Sequence, residues 1–388
     1  MKIETTTRDT RLDAIRGLFL MIMAAVHVPT PLSHRLQEPF GYVSVAEGFI
    51  FVSACLAGLI YGKAGRETAW QNMAGRVWRR ARLIYLIHLG LLMPVALIAW
   101  ATAGKLLPLT NHFHDFLGHP LTSLALMPLL LHQPPLFDIL PLYVLLLGIT
   151  PFLLGWANRH GWRTVVMCSA LGWLMAQFTL VNHYSLPMTL LPVKLGSFNL
   201  LAWQFLWICG LALGDTAKKH PLHRNANRTG LVVAAAGIVV VGLLSRHGFW
   251  PAAWFNPDVY LWMDKWTLGP LRLLNFTAWV VLLLAWNPTP PATVLAPAAL
   301  LGRHSLAVFA FHLPLAITAD VLVQLFPLST MEAWWVGVMV VAALFPWAVW
   351  LEDRRQRARG ETPRLASRKV ETSLAGGFVL AKSASSTP

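Results

Sequence analysis

Residues 10–31 read TRLDAIRGLFLMIMAAVHVPTP. The core from Gly17 to Val26 is uninterrupted and apolar, with Asp13 and Arg16 at its start and His27 just past its end. A helix of about 20 mostly apolar residues crosses a bilayer, and the range 12–29 suits one. The apolar core alone also has the length of a signal-peptide core. No convincing A-x-A site follows, and two charges interrupt its beginning, so the reading is a retained first helix. An ionisable side chain at membrane depth costs about 2.5–3.5 kcal/mol on insertion scales, which makes Asp13, Arg16 and His27 functional candidates.

The same pattern recurs along the chain, at 43–62, 83–104, 136–155, 164–181, 199–215, 229–245, 269–286, 304–323 and 332–351. Backbone at membrane depth must satisfy its own hydrogen bonds, so these are helices. The expectation is an all-α polytopic transmembrane bundle of about ten spans. The apolar stretch 121–131 is too short to cross and reads as re-entrant or interfacial.

Composition agrees. Of 388 residues, 56% are apolar and 12% charged, where a soluble domain carries about 25% charged residues. Many of the 18 Trp flank apolar runs, as at Trp70, Trp100, Trp156, Trp250 and Trp350. A net charge of +14 would suggest nucleic acid in a soluble protein. Here the Lys and Arg sort by side: with the N-terminus inside, 24 fall in inner segments and 5 in outer ones. Both termini are therefore expected in the cytoplasm, with membrane lipid and not nucleic acid as the partner.

The expected organisation is a cytoplasmic tail at 1–11, a transmembrane domain at 12–351 and a disordered basic cytoplasmic tail at 352–388, whose composition cannot bury a core. Cys55, Cys168 and Cys209 lie inside apolar runs, without metal or disulfide spacing. No internal repeat and no inverted pair of broken helices is visible, which counts against a transporter.

Asp13 and Arg16 are i, i+3 neighbours able to pair. His27 follows Arg16 by eleven residues, about 16 Å along a helix. Glu47 sits in the outer part of the second span. Helices joined by a short loop are usually neighbours, so Glu47 is expected to orient His27 and raise its basicity. The plainer reading leaves His27 at the interface before Pro29. Arg76, Arg79, Arg80 and Arg82 precede the third span; they suit both a positive-inside anchor and a polyphosphate site. His112, His114 and His119 near Asp115 match no defined metal signature, and no metal is expected. GxSxG, Walker A, HExxH and GxGxxG are absent from suitable contexts.

Residues 10–31, together with GYVSVAEGFIFVSACLAGLIYG (41–62), QPPLFDILPLYVLLL (133–147), LAWQFLWICGLALG (201–214), KWTLGPLRLLNF (265–276) and LGRHSLAVFAFHLPL (301–315), resemble in order the blocks of OpgC, the membrane succinyltransferase family of osmoregulated periplasmic glucans. That family resembles the broader acyltransferase-3-like enzymes. Their Arg, ten residues, then His is matched by Arg16 and His27, and their RxxR by Arg79 and Arg82. Their late Ser-Tyr and His is matched by Ser305 and His312, with Leu306 in place of the Tyr.

The resemblance implies an O-acyltransferase of the bacterial inner membrane. It would move an acyl group, succinyl by family expectation, from cytoplasmic acyl-CoA to a hydroxyl of a periplasmic glucan or other exported polysaccharide. No cofactor is implied beyond acyl-CoA as donor substrate. In this reading His27 and Glu47 are catalytic, and Arg76, Arg79 and Arg82 hold the CoA phosphates. Arg16, Asp13, Asp138, Arg272, Ser305 and His312 position substrate, with Arg272 the expected cation for a succinyl carboxylate. The alternatives are a transporter or flippase for a glycan or lipid-linked intermediate, and a scaffold for a glucan-synthesising complex.

Overall fold

The computed structural model describes residues 10–62, 65–66, 69–102, 105–178, 195–217, 228–249, 262–286, 291–326 and 328–360. Among these, every regular element is helical. In chain order they are α1 (Thr10–Val26), α2 (Pro31–Leu36), α3 (Val45–Ala57) with a π-helical turn at Gly58–Gly62, α4 (Trp70–Ala101), α5 (Leu107–His112), α6 (His114–Gly118), α7 (Pro120–Leu126) and α8 (Ile139–His160). There follow α9 (Trp162–Phe178), α10 (Leu200–Thr216), α11 (Arg228–Arg246), α12 (Pro270–Trp286), α13 (Ala292–Arg303), α14 (Ser305–Leu325) and α15 (Thr330–Ala358).

Each expected span is met by a helix, but the count of about ten crossings is not reproduced. Among the described residues, six helices are long and apolar enough to cross: Val45–Gly62, Trp70–Ala101, Ile139–His160, Thr229–Arg246, Ser305–Leu325 and Thr330–Ala358. Leu200–Thr216, Pro270–Trp286 and Thr293–Arg303 are apolar but shorter.

Three boundaries differ from the sequence reading. Helix α4 begins before the arginine cluster, so Arg76 to Arg82 lie on its first turns. Residues 292–303, read as part of a connecting segment, form α13. Helix α15 runs on to Ala358, beyond the expected tail boundary at 352, because Glu352 is fastened to His304 at 2.7 Å. Residues 361–388 and 1–9 lie outside the described residues. The 121–131 stretch holds the end of the short α7 and the turn after it.

Close backbone approach sets the packing around α1. A Cβ at Gly17 would collide with the carbonyl of Ala298, and one at Gly302 with the carbonyl of Asp13. Helices α1 and α13 are thus pressed together through reciprocal glycines, as small residues allow in membrane bundles. Helix α3 meets α10 in the same way, with Gly58 against Leu211 and Gly214 against Cys55. Helices α3, α14 and α15 also pack on α1. This surrounds the one helix that carries Arg16 toward one end and leads to His27 at the other.

Candidate functional site

His27 follows the last turn of α1, its amide donating to the Met23 carbonyl at 3.2 Å. Its Nδ1 lies 3.0 Å from Nε2 of His312 on α14. The ring planes differ by 20° with centroids 5.1 Å apart, as an in-plane N–H···N bond requires. Nδ1 of His312 lies 2.6 Å from the Phe309 carbonyl. A carbonyl can only accept, so His312 carries its proton on Nδ1. With both rings neutral, His312 Nε2 is then an acceptor and His27 Nδ1 the donor. The lone pair on His27 Nε2 is left to act as a base.

Among the described residues, His27 hydrogen-bonds His312 and not, as expected, Glu47, whose carboxylate is engaged elsewhere. Its Oε2 accepts from the Ser44 amide at 3.1 Å and from the Ser44 hydroxyl, closing a capping box at the start of α3. Its Oε1 accepts from Nη1 of Arg272 at 2.6 Å. The sequence signal was present in Ser44-x-x-Glu47 before an apolar run. Glu47 therefore braces the site, while His312 holds the imidazole.

Arg272 is likewise committed. Its Nε donates to the Met263 carbonyl at 2.9 Å, Nη1 to Glu47 and Nη2 to Glu38, and the residue is 2% exposed. Glu38 also accepts from Arg246 at 2.6 Å. Burial disfavours a charged Glu38, but Arg272 and Arg246 outweigh it and hold the carboxyl below its usual range. An arginine whose guanidinium is shared between two carboxylates is a poor receiver for a third, so the structure opposes the expectation that Arg272 meets a succinyl carboxylate.

At the other end of α1, Arg16 donates to the Ser305 hydroxyl and lies over Phe49, 5.7 Å from its centroid. Both residues line a cavity with Ile84, Tyr143, Leu306 and Phe309, and the arginine that joins them from α4 is Arg80. Arg79 and Arg82 are exposed, with Arg79 bonded back to the Gly75 carbonyl at 3.2 Å, and Arg76 lies over Tyr61. The cavity measures about 30 Å³, room for a water molecule and little more. A larger groove of about 550 Å³ between α10 and α12 is lined by apolar residues with Cys209 and Thr277.

Asp13 is buried where α1 meets α13, and Arg16 turns to Ser305. Asp138, buried ahead of α8, accepts from the Ser197 amide at 3.0 Å. His112 bonds Asp320 at 3.1 Å while His114 pairs with Asp115, so that loop does not converge on one point.

Glu38, Lys265 and His88 were not singled out from the sequence, and Arg80 was read only as one of four clustered arginines, not among those assigned to the CoA phosphates. Arg80, Ile84 and His88 recur at four-residue spacing on one face of α4, a signal that could have found them. His88 is fully buried, and among the described residues neither of its ring nitrogens is hydrogen-bonded. Glu38 and Lys265 lie in connecting segments that periodicity cannot place.

The profile of the family described as OpgC protein matches residues 8–356. No curated protein and no solved structure matches the chain. A match over most of the chain, with several apolar helices of crossing length, makes it a membrane protein that belongs to the OpgC family.

Proposed function

We propose that the chain is an integral membrane O-acyltransferase of the bacterial inner membrane, moving an acyl group from cytoplasmic acyl-CoA to a hydroxyl of a periplasmic glucan. Family membership supports a transferase, and the resemblance favours succinyl. The observation that carries the chemistry is the His27–His312 bond of 3.0 Å, which leaves Nε2 of His27, at the opposite end of α1 from Arg16, without a partner among the described residues.

In this reading the Arg16 end faces the cytoplasm. Arg16 and Arg80 receive the CoA phosphates, and the exposed Arg76, Arg79 and Arg82 draw the anion in. The small cavity beside Arg16 is the closed form of the donor path, and α4, α8 and α14 must part along it for the pantetheine arm to enter.

At the His27 end, Nε2 of His27 takes the proton of the sugar hydroxyl as its oxygen attacks the thioester carbonyl. The tetrahedral adduct collapses, the carbon–sulfur bond breaks, and the CoA sulfur leaves with the proton returned from His27. During that interval the imidazolium is stabilised by its Nδ1–H bond to His312, which the Phe309 carbonyl holds in the accepting tautomer. General acid–base help of this kind contributes about 10²–10⁴-fold.

The test supplies radiolabelled succinyl-CoA and periplasmic glucan to membranes containing the protein, with mass spectrometry of the sugar. Ester-linked succinate is expected. Intact donor with every acyl-CoA and glycan offered, accompanied by movement of glycan across the membrane, would replace this reading with a transporter.

A further inference from the structure

With Arg272 committed to Glu38 and Glu47, the His27 end needs another cation if the acyl group carries a charge. Lys265 stands in the segment between Met263 and Gly269, which is pinned at almost every residue. Met263 O accepts from Arg272, Trp266 O from the Asn199 amide and Trp203 Nε1, Thr267 O from Gln177, and Leu268 O from Trp173. Asp264 caps the turn through the Thr267 amide and hydroxyl at 2.8 and 2.6 Å. Leu268 is held at φ +51°, a left-handed conformation that a leucine adopts only where its surroundings over-determine it. A flexible side chain is thus mounted on a rigid base, as a binding residue needs.

The Lys265 ammonium rests 4.9 Å from the Trp266 ring centroid and makes no hydrogen bond or ion pair among the described residues. It is half-buried and within electrostatic reach of His27, Asp138, Glu38, Glu47 and Arg272. Glu38 and Glu47 are engaged by arginines and Asp138 by the Ser197 amide. Burial pulls the ammonium below the usual lysine range, a cost that an anion arriving beside it would reverse.

We propose that Lys265 is the specificity-determining residue that receives the free carboxylate of a dicarboxylic acyl group while its thioester carbon lies at His27. This inference rests on the acyltransferase reading. It separates a charged acyl group, held at both ends, from a neutral one of the same length that is held at only one.

The experiment compares succinyl-CoA with butyryl-CoA, its uncharged four-carbon counterpart, as donors for the membrane-bound full chain. Initial rates at low donor give the ratio of the two kcat/KM values for the parent, Lys265→Met, Lys265→Gln and Lys265→Arg. A charge-assisted bond of ordinary strength predicts that Met and Gln each lower the succinyl-to-butyryl ratio by about 10- to 100-fold, and that Arg restores most of it. A merely structural role would depress both donors together and leave the ratio in place. An unchanged ratio in both neutral variants, or a parent that does not distinguish the donors, overturns the assignment of Lys265. A parent that transfers neither acyl group overturns the acyltransferase reading and this inference with it.

Discussion

Nδ1 of His27 and Nε2 of His312 lie 3.0 Å apart although 285 residues separate them in sequence. Because the Phe309 carbonyl fixes the His312 tautomer, the two rings form a one-way relay and act as a unit. His312→Ala is therefore expected to lower kcat by about 10²-fold or more. Adding it to His27→Ala should cost nothing further, as happens for residues that act together. Steady-state rates of the two single variants and the double variant check this.

The arginines of α4 should divide by placement. Arg80→Ala is expected to raise KM for acyl-CoA by about 10- to 100-fold through loss of a charge-assisted contact. Arg79→Ala should move it several-fold at most and in a salt-dependent way, because Arg79 is exposed. Donor titrations at two ionic strengths distinguish them.

Glu47 was legible as a buried carboxylate near the His27 end, but its partner was not. The short link between α1 and α3 made contact with His27 look natural, while the residue that claims Glu47 lies 225 positions away. Among the described residues, short-range patterns found the ten longer helices but not the short α2, α5, α6 and α13, because apolar run length and helical spacing are local properties. Ring pairing, the choice of Arg80 within its cluster and the value of Lys265 depend on which helices meet, and no local pattern records that. Helix α13 escaped because it is short, starts right after Pro291 and carries Pro297 inside it, a pattern that reads as a loop.

Arg272→Met strands the buried Glu47 carboxylate without its counter-ion and should destabilise by about 3–5 kcal/mol. Glu47→Ala leaves Arg272 still paired with Glu38 and should destabilise less. The double variant should recover part of the Arg272→Met loss. Thermal unfolding in detergent, read on all three, measures the recovery.

Glu38 adds a pH dependence whose sign is fixed. Its folded-state pKa is depressed below the ordinary glutamate value of 4.5, so the unfolded chain binds the proton first as pH falls. The contribution is complete well above pH 4.5 and is lost as pH drops through the folded value. Parent stability should decline in that acidic window, and Glu38→Gln should show a shallower decline from a lower starting point.

Backbone contact at Gly17 and Gly302 predicts a sharp positional contrast. Gly17→Val or Gly302→Val should prevent assembly of α1 against α13, because the added atoms would occupy the positions of carbonyl groups. Gly75→Ala, with open space around it, should be tolerated. Yield of folded protein from membranes reports the difference.

The central claim is that the free nitrogen of His27 performs the transfer chemistry. The most direct test follows radiolabel from succinyl-CoA to periplasmic glucan in membranes carrying equal amounts of correctly inserted parent and His27→Ala protein. The account predicts ester-linked succinate with the parent and none above background with the variant. Transfer by His27→Ala at the parent rate would contradict it.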